Sequence, residues 1–125
     1  MSIINKVKLL LAKIKIAQLS YKKTLKVSIL SMDLILLNKL WEFGFIYGYT
    51  KINNIFYILL KYNSKGLGLI NSVIFFNVIL SKKELLSALK LDPFYSYLVM
   101  TTKGIMFYSI KSLKINYGGV LIAKL

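Results

Sequence analysis

Four carboxylates, Asp33, Glu42, Glu84 and Asp92, are all the acid–base chemistry that 125 residues offer near neutral pH, because the chain has no His and no Cys. No two of them stand in a spacing that pairs carboxylates for proton transfer or divalent metal binding. Disulfides, thiolate nucleophiles and His or Cys metal sites are excluded by composition. Lys103 beside Gly104 invites a nucleotide-cradling reading, but Thr101, Thr102, Lys103 and Gly104 lack the Gly-rich spacing of a phosphate-binding loop. The expectation is therefore a chain without catalytic activity, without a cofactor or metal, and without a small-molecule substrate.

Cations dominate instead. Eighteen basic residues against four acidic ones leave a formal charge of +14, and every basic residue is Lys. Seven lysines fall between Lys6 and Lys26 with no acid among them, a positive field suited to an acidic partner: nucleic acid, or an anionic membrane surface. The chain is also 57% hydrophobic, so a membrane span must be tested. Its longest charge-free stretch, Gly66 to Ser81, is sixteen residues long, short of the ~20 a spanning helix needs, and carries glycines, asparagines and a β-branched and aromatic centre. No membrane span is predicted. Lys13 and Lys15 interrupt the apolar run that a secretory signal would require; a basic amphipathic helix lying on a membrane, or an organelle presequence, stays open as the alternative function of this segment.

The elements that must hold these residues follow from periodicity. Ile3, Val7, Leu10, Ile14 and Ala17 recur at spacings of four and three, the stripe of an amphipathic helix over residues 3 to 19. Thr24 to Ile29 alternates as a short strand, and a helix from about Met32 to Phe43 ends at Gly44 as its C′ residue. Phe45 to Lys51 and Ile55 to Tyr62 form a hairpin around Ile52, Asn53 and Asn54, where Asn tolerates positive φ. Residues 64 to 68 read as a linker between an N-terminal lobe, 1 to 63, and a C-terminal lobe, 69 to 125. Beyond it come a strand from Leu69 to Leu80, a helix from Ser81 to Lys90 opened by a Ser81–Glu84 capping box, and a break at Asp92 and Pro93. A strand from Phe94 to Thr101, a turn at Thr102 to Gly104, a helix over Ser109 to Ile115 and a strand from Val120 to Leu125 complete the chain. Helices and strands mix without strict alternation, so the predicted fold class is α+β: two small lobes, each with a short sheet packed on helices.

This order of pieces resembles small-subunit ribosomal protein eight, the universal bacterial-type family, nearly end to end. The sharpest segment is Thr101, Thr102, Lys103, Gly104, Ile105 and Met106, similar to the family's C-terminal Thr-Ser-Lys-Gly-Val/Ile-Met signature. Fourteen positions past Gly104, the family's double glycine has its counterpart in Gly118 and Gly119. Gly44, Phe45 and Ile46 look like its Glu-Gly-Phe/Tyr-Ile turn, Leu60, Lys61 and Tyr62 its Leu-Lys-Tyr strand end, and Lys13, Ile14 and Lys15 its basic-Ile-basic step in the first helix. The sequence departs from the pattern at Met100, where the family has a serine, and at Val120, where it has an acid. Asn5 and Lys6 replace an Asp-Pro, and no Ser-x-Pro-Gly segment is found around Val78 to Lys82. Lys for Arg at 13 and 15 exchanges a planar bidentate donor for a point charge.

The resemblance implies a ribosomal protein that binds the central domain of small-subunit ribosomal RNA, supports subunit assembly and translation, and neighbours other small-subunit proteins, chiefly protein five. It implies RNA contacts at Thr101, Thr102, Lys103 and Gly104, where hydroxyls can meet ribose and base edges and the lysine neutralises phosphate. Lys6, Lys13, Lys15, Lys22 and Lys23 make a second, less specific phosphate surface, and Tyr108 and Tyr117, nearest the signature, are the tyrosines expected to stack on bases if any do. Enrichment in Lys, Ile, Phe, Tyr and Asn with no Arg indicates an AT-rich gene and points to a mitochondrial ribosome, with a reduced plastid as the alternative.

Overall fold

A computed structural model describes residues 3–28, 34–70, 72–109 and 117–125. The fold is α+β, with three helices and two wholly antiparallel sheets among the described residues. The chain divides into two compact units, Met1–Val73 and Ile74–Leu125. No helix among the described residues is long and apolar enough to cross a membrane.

In the first unit, α1 (Ile3–Leu19) and α2 (Leu34–Glu42) accompany β1 (Thr24–Ser28), β2 (Ile46–Ile52) and β3 (Ile55–Leu60), ordered β1-β3-β2. Val7, Leu10, Leu11, Ile14 and Ala17 are buried along α1, as the periodicity predicts, whereas Ile3, at the first helical residue, is exposed. Leu36, Leu37 and Leu40 of α2 and Val27, Ile46, Phe56, Ile58 and Leu60 of the strands are buried as well; burying each such side chain contributes about 1.5–3 kcal/mol. The α2 helix ends as a Schellman motif: Gly44 has φ +78°, its N–H donates to Trp41 O, and Phe45 N donates to Leu40 O at 2.8 Å. The hairpin turns at Asn53, which takes φ +56°.

Residues 64–68, expected as a linker, lie inside this first unit. The strand expected from Leu69 starts only at Ile74. One side chain accounts for the difference. Gln18, 1% exposed on α1, donates from Nε2 to Lys61 O at 3.1 Å and accepts from Ile70 N at 3.1 Å, which ties residues 61–70 to the helix. Lys61 O also accepts from Leu69 N, so removal of the amide orphans chiefly the Ile70 N–H. Gln18→Leu keeps the volume and is expected to cost about 2 kcal/mol, the penalty for a buried unpaired donor. Urea unfolding followed by the fluorescence of Trp41, which lies in this unit, measures it; an unchanged midpoint would show that the amide pairing is dispensable.

In the second unit, β4 (Ile74–Leu80), β5 (Tyr97–Thr101), β6 (Gly104–Tyr108) and β7 (Gly119–Lys124) are ordered β4-β7-β5-β6. The helix α3 (Lys82–Leu91) covers one face, where Leu85 and Leu89 pack with Tyr97, Val99, Tyr108 and Leu121. Its capping box forms: Ser81 Oγ accepts from Glu84 N and Glu84 Oε1 from Ser81 N, each at 3.3 Å. The strand β6 is not among the elements expected from the sequence; Ile105, Met106, Phe107 and Tyr108 are apolar in succession, so no alternation marks it. The helix predicted over Ser109 to Ile115 falls, beyond Ser109, outside the described residues.

Candidate nucleic-acid interface

The register of the second sheet gathers distant residues at one end. Leu80 pairs with Gly119, Met100 with Val120, and Thr101 with Gly104, so β4 and β5 finish where β6 and β7 begin. The first turn of α3 opens at this end too, directly after Leu80. Lys103 at the tip of the β5–β6 turn, Lys82, Lys83 and the double glycine therefore share one rim, and all three lysines are exposed. Glu84, the carboxylate at that rim, is engaged in the capping box. At the opposite end one lysine is paired. Lys124 Nζ lies 2.9 Å from Asp92 Oδ2, the one ion pair among the described residues, with the Tyr95 ring 4.2 Å from the same ammonium. The Lys124 hydrogen bond holds the Asp92 carboxyl below its usual range, and the same bond raises Lys124.

The turn itself divides its residues by role. Thr101 Oγ1 donates to Gly104 O at 2.8 Å and accepts from Lys103 N at 3.1 Å, and the residue is 8% exposed. Its hydroxyl proton is committed, so Thr101 shapes the turn, whereas Thr102 and Lys103 beside it are exposed. Gly104 takes φ +108°, with no atom within 4 Å of where a Cβ would stand; the backbone conformation, not crowding, requires glycine. Tyr108, expected to stack on bases, is 2% exposed and sits in the core under α3. Its hydroxyl donates to Tyr117 O at 3.0 Å, and burial raises its pKa. Tyr108 therefore fixes the backbone at Tyr117, whose own side chain is exposed beside the double glycine.

In the first unit the lysines are spread rather than massed. Lys6 and Lys13 stand seven residues apart on one flank of α1's buried stripe, Lys8 and Lys15 seven apart on the other, so Lys15 does not share a face with Lys6 and Lys13. Lys22 and Lys23 follow the C-terminus of α1, where cations complement the helix dipole, and their carbonyls accept from Tyr62 OH and Leu60 N. Both side chains are exposed.

Lys82 and Lys83 were not singled out by sequence. A signal existed: two lysines occupy the first turn of a capped helix, where the macrodipole disfavours cations. Among the described residues no group of three or more acidic or ligating side chains is placed to hold a metal. A depression of about 240 Å³ lined by Asn63, Leu67, Gly68, Leu69 and Ser72 carries no titratable side chain. No protein-family model matches the chain, and no curated protein is significantly similar to it.

Proposed function

We propose that this chain is a small-subunit ribosomal protein of the protein-eight type, which binds the central domain of the small-subunit ribosomal RNA and takes part in subunit assembly and translation. One observation carries the reading. The two segments on which the resemblance rests most, Thr101 to Met106 and Gly118 to Gly119, meet at one end of one sheet, beside three exposed lysines. Such a rim suits A-form RNA, whose shallow minor groove and flanking phosphates are read by hydroxyls and cations from a surface turn. Thr102 offers the hydroxyl, Lys82, Lys83 and Lys103 the charge, and Thr101, Gly104 and Tyr108 hold the backbone that presents them.

The neighbours proposed are other small-subunit proteins, chiefly protein five. The exposed apolar residues of a +14 chain, Phe75, Val78 and Ile79 of β4 among them, support a place inside a larger particle. The location proposed is a mitochondrial ribosome, supported by a composition rich in residues whose codons are AT-rich and lacking Arg, with a plastid ribosome as the alternative. Binding of the purified chain to its own central-domain RNA fragment and to an unrelated duplex of equal length tests the reading, with Lys103→Ala alongside. The cognate fragment is expected to keep its advantage at physiological salt, and Lys103→Ala to erode that advantage. Equal binding of both RNAs would leave a basic surface without the ribosomal role.

A further inference from the structure

The first unit carries an aromatic surface of its own. Trp41, on the last turn of α2, is 56% exposed, and Tyr47 on β2 is 62% exposed. The indole leans against Gly48, with Cε2 and Nε1 each 4.0 Å from where a Cβ on that residue would stand, so it reaches the backbone immediately after Tyr47. It is held from behind. The Tyr49 ring meets it edge-on with centroids 6.1 Å apart, and Tyr49 OH donates to Asn38 Oδ1 at 2.6 Å, which ties that ring to α2. Tyr47 sits at a bulge, between Ile46 and Gly48, where β2 slips register against β3 and turns its side chain outward. Lys61 Nζ lies 5.4 Å from the Tyr47 ring centroid and 3.8 Å from the Cβ position of Gly44.

Leaving a tryptophan and a tyrosine in water while fixing the indole from behind is unfavourable for an isolated domain. The combination of two exposed rings and a lysine is what single-stranded nucleic acid uses: bases stack on the rings, and the cation meets the phosphate between them. A net charge of +14 favours an anionic occupant. We propose that Trp41 and Tyr47, with Lys61, form a second RNA-binding surface that takes unpaired nucleotides by stacking. It rests on the reading of the chain as an RNA-binding protein, but uses none of the residues of the rim at Lys103.

Trp41 is the chain's one tryptophan, so its fluorescence reports directly. The intact chain is titrated with a short oligouridylate and with a fully paired duplex of equal length, binding being followed in parallel by anisotropy of labelled RNA. The single strand is expected to quench the indole and the duplex to leave it bright. Tyr47→Ala should weaken single-strand binding by about 10-fold or more, while Tyr47→Phe, which keeps the ring, should bind as wild type. Lys103→Ala should leave the quenching intact. Oligouridylate bound without quenching, equal quenching by the duplex, or an emission shift seen with phosphatidylserine vesicles and not with RNA would each overturn the proposal. Quenching without any preference for the cognate ribosomal fragment would uphold this surface and remove the ribosomal reading; the reverse pattern would do the opposite.

Discussion

Gly119→Ala is expected to unfold the second unit while the first keeps its structure. Gly119 opens β7, a strand flanked by β4 and β5, and a Cβ there would overlap Met100 O while standing 2.9 Å from Met100 C and 3.1 Å from Val99 Cγ1. The atoms in the way are backbone of a paired strand, so relief requires β5 and β7 to separate. A methyl forced into such a site costs about 3 kcal/mol or more, a large share of the ~5–15 kcal/mol that holds a domain folded. Gly118 is confined in the same way, with Leu80 O 2.6 Å and Lys82 N 3.0 Å from its Cβ position, so the pair also seats the first turn of α3 against the sheet. Gly66→Ala is the control: φ is +79° but nothing lies within 4 Å, and the cost should be about 1 kcal/mol of backbone strain. Amide hydrogen exchange read by peptide decides the matter. Protection should vanish across β4 to β7 in Gly119→Ala and persist in β2 and β3; wild-type protection throughout would mean that the strands part without loss.

RNA affinity is expected to fall by roughly 10³ to 10⁵ between 50 and 200 mM salt if six to ten lysines contact phosphate, because each neutralised phosphate releases a condensed counterion. The lysines are not equally available. Lys82, Lys83 and Lys103 are exposed on one rim whose carboxylate is engaged in a cap, and replacing all three with Ala should flatten the log–log salt slope by about 2 to 3. Lys124 is already paired with Asp92 at the other end of the sheet, so Lys124→Ala should leave the slope unchanged. Anisotropy titrations of the cognate fragment at several salt concentrations measure both. A triple variant with the wild-type slope, or an equal loss in Lys124→Ala, would place the RNA elsewhere on the surface.

Whatever depends on local periodicity or local turn chemistry was legible in the sequence. The stripe of α1, the Schellman glycine Gly44, the positive φ of Asn53, the capping box of α3 and the α+β class all follow from residues within a few positions of each other, where helical spacing and backbone sterics act directly. Charge was legible too, as a total. What only the tertiary structure decided are consequences of contacts between distant positions. Gln18 reads as one more polar residue of a helix until Lys61 and Ile70 are placed on it, and the linker expected at 64–68 becomes part of a unit because of that amide. Thr101 and Tyr108 read as surface candidates until the β5–β6 pairing turns one into the brace of its own turn and the other into core. Lys82 and Lys83 join Lys103 only through the order β4-β7-β5-β6, and Trp41 meets Gly48 beside Tyr47 only because α2 packs on β2. Composition alone set the charge of this chain, since a chain with eighteen lysines and four carboxylates carries cations wherever it folds. Strand pairing decided where those cations and rings stand together, because that placement depends on non-local register, which no local spacing encodes.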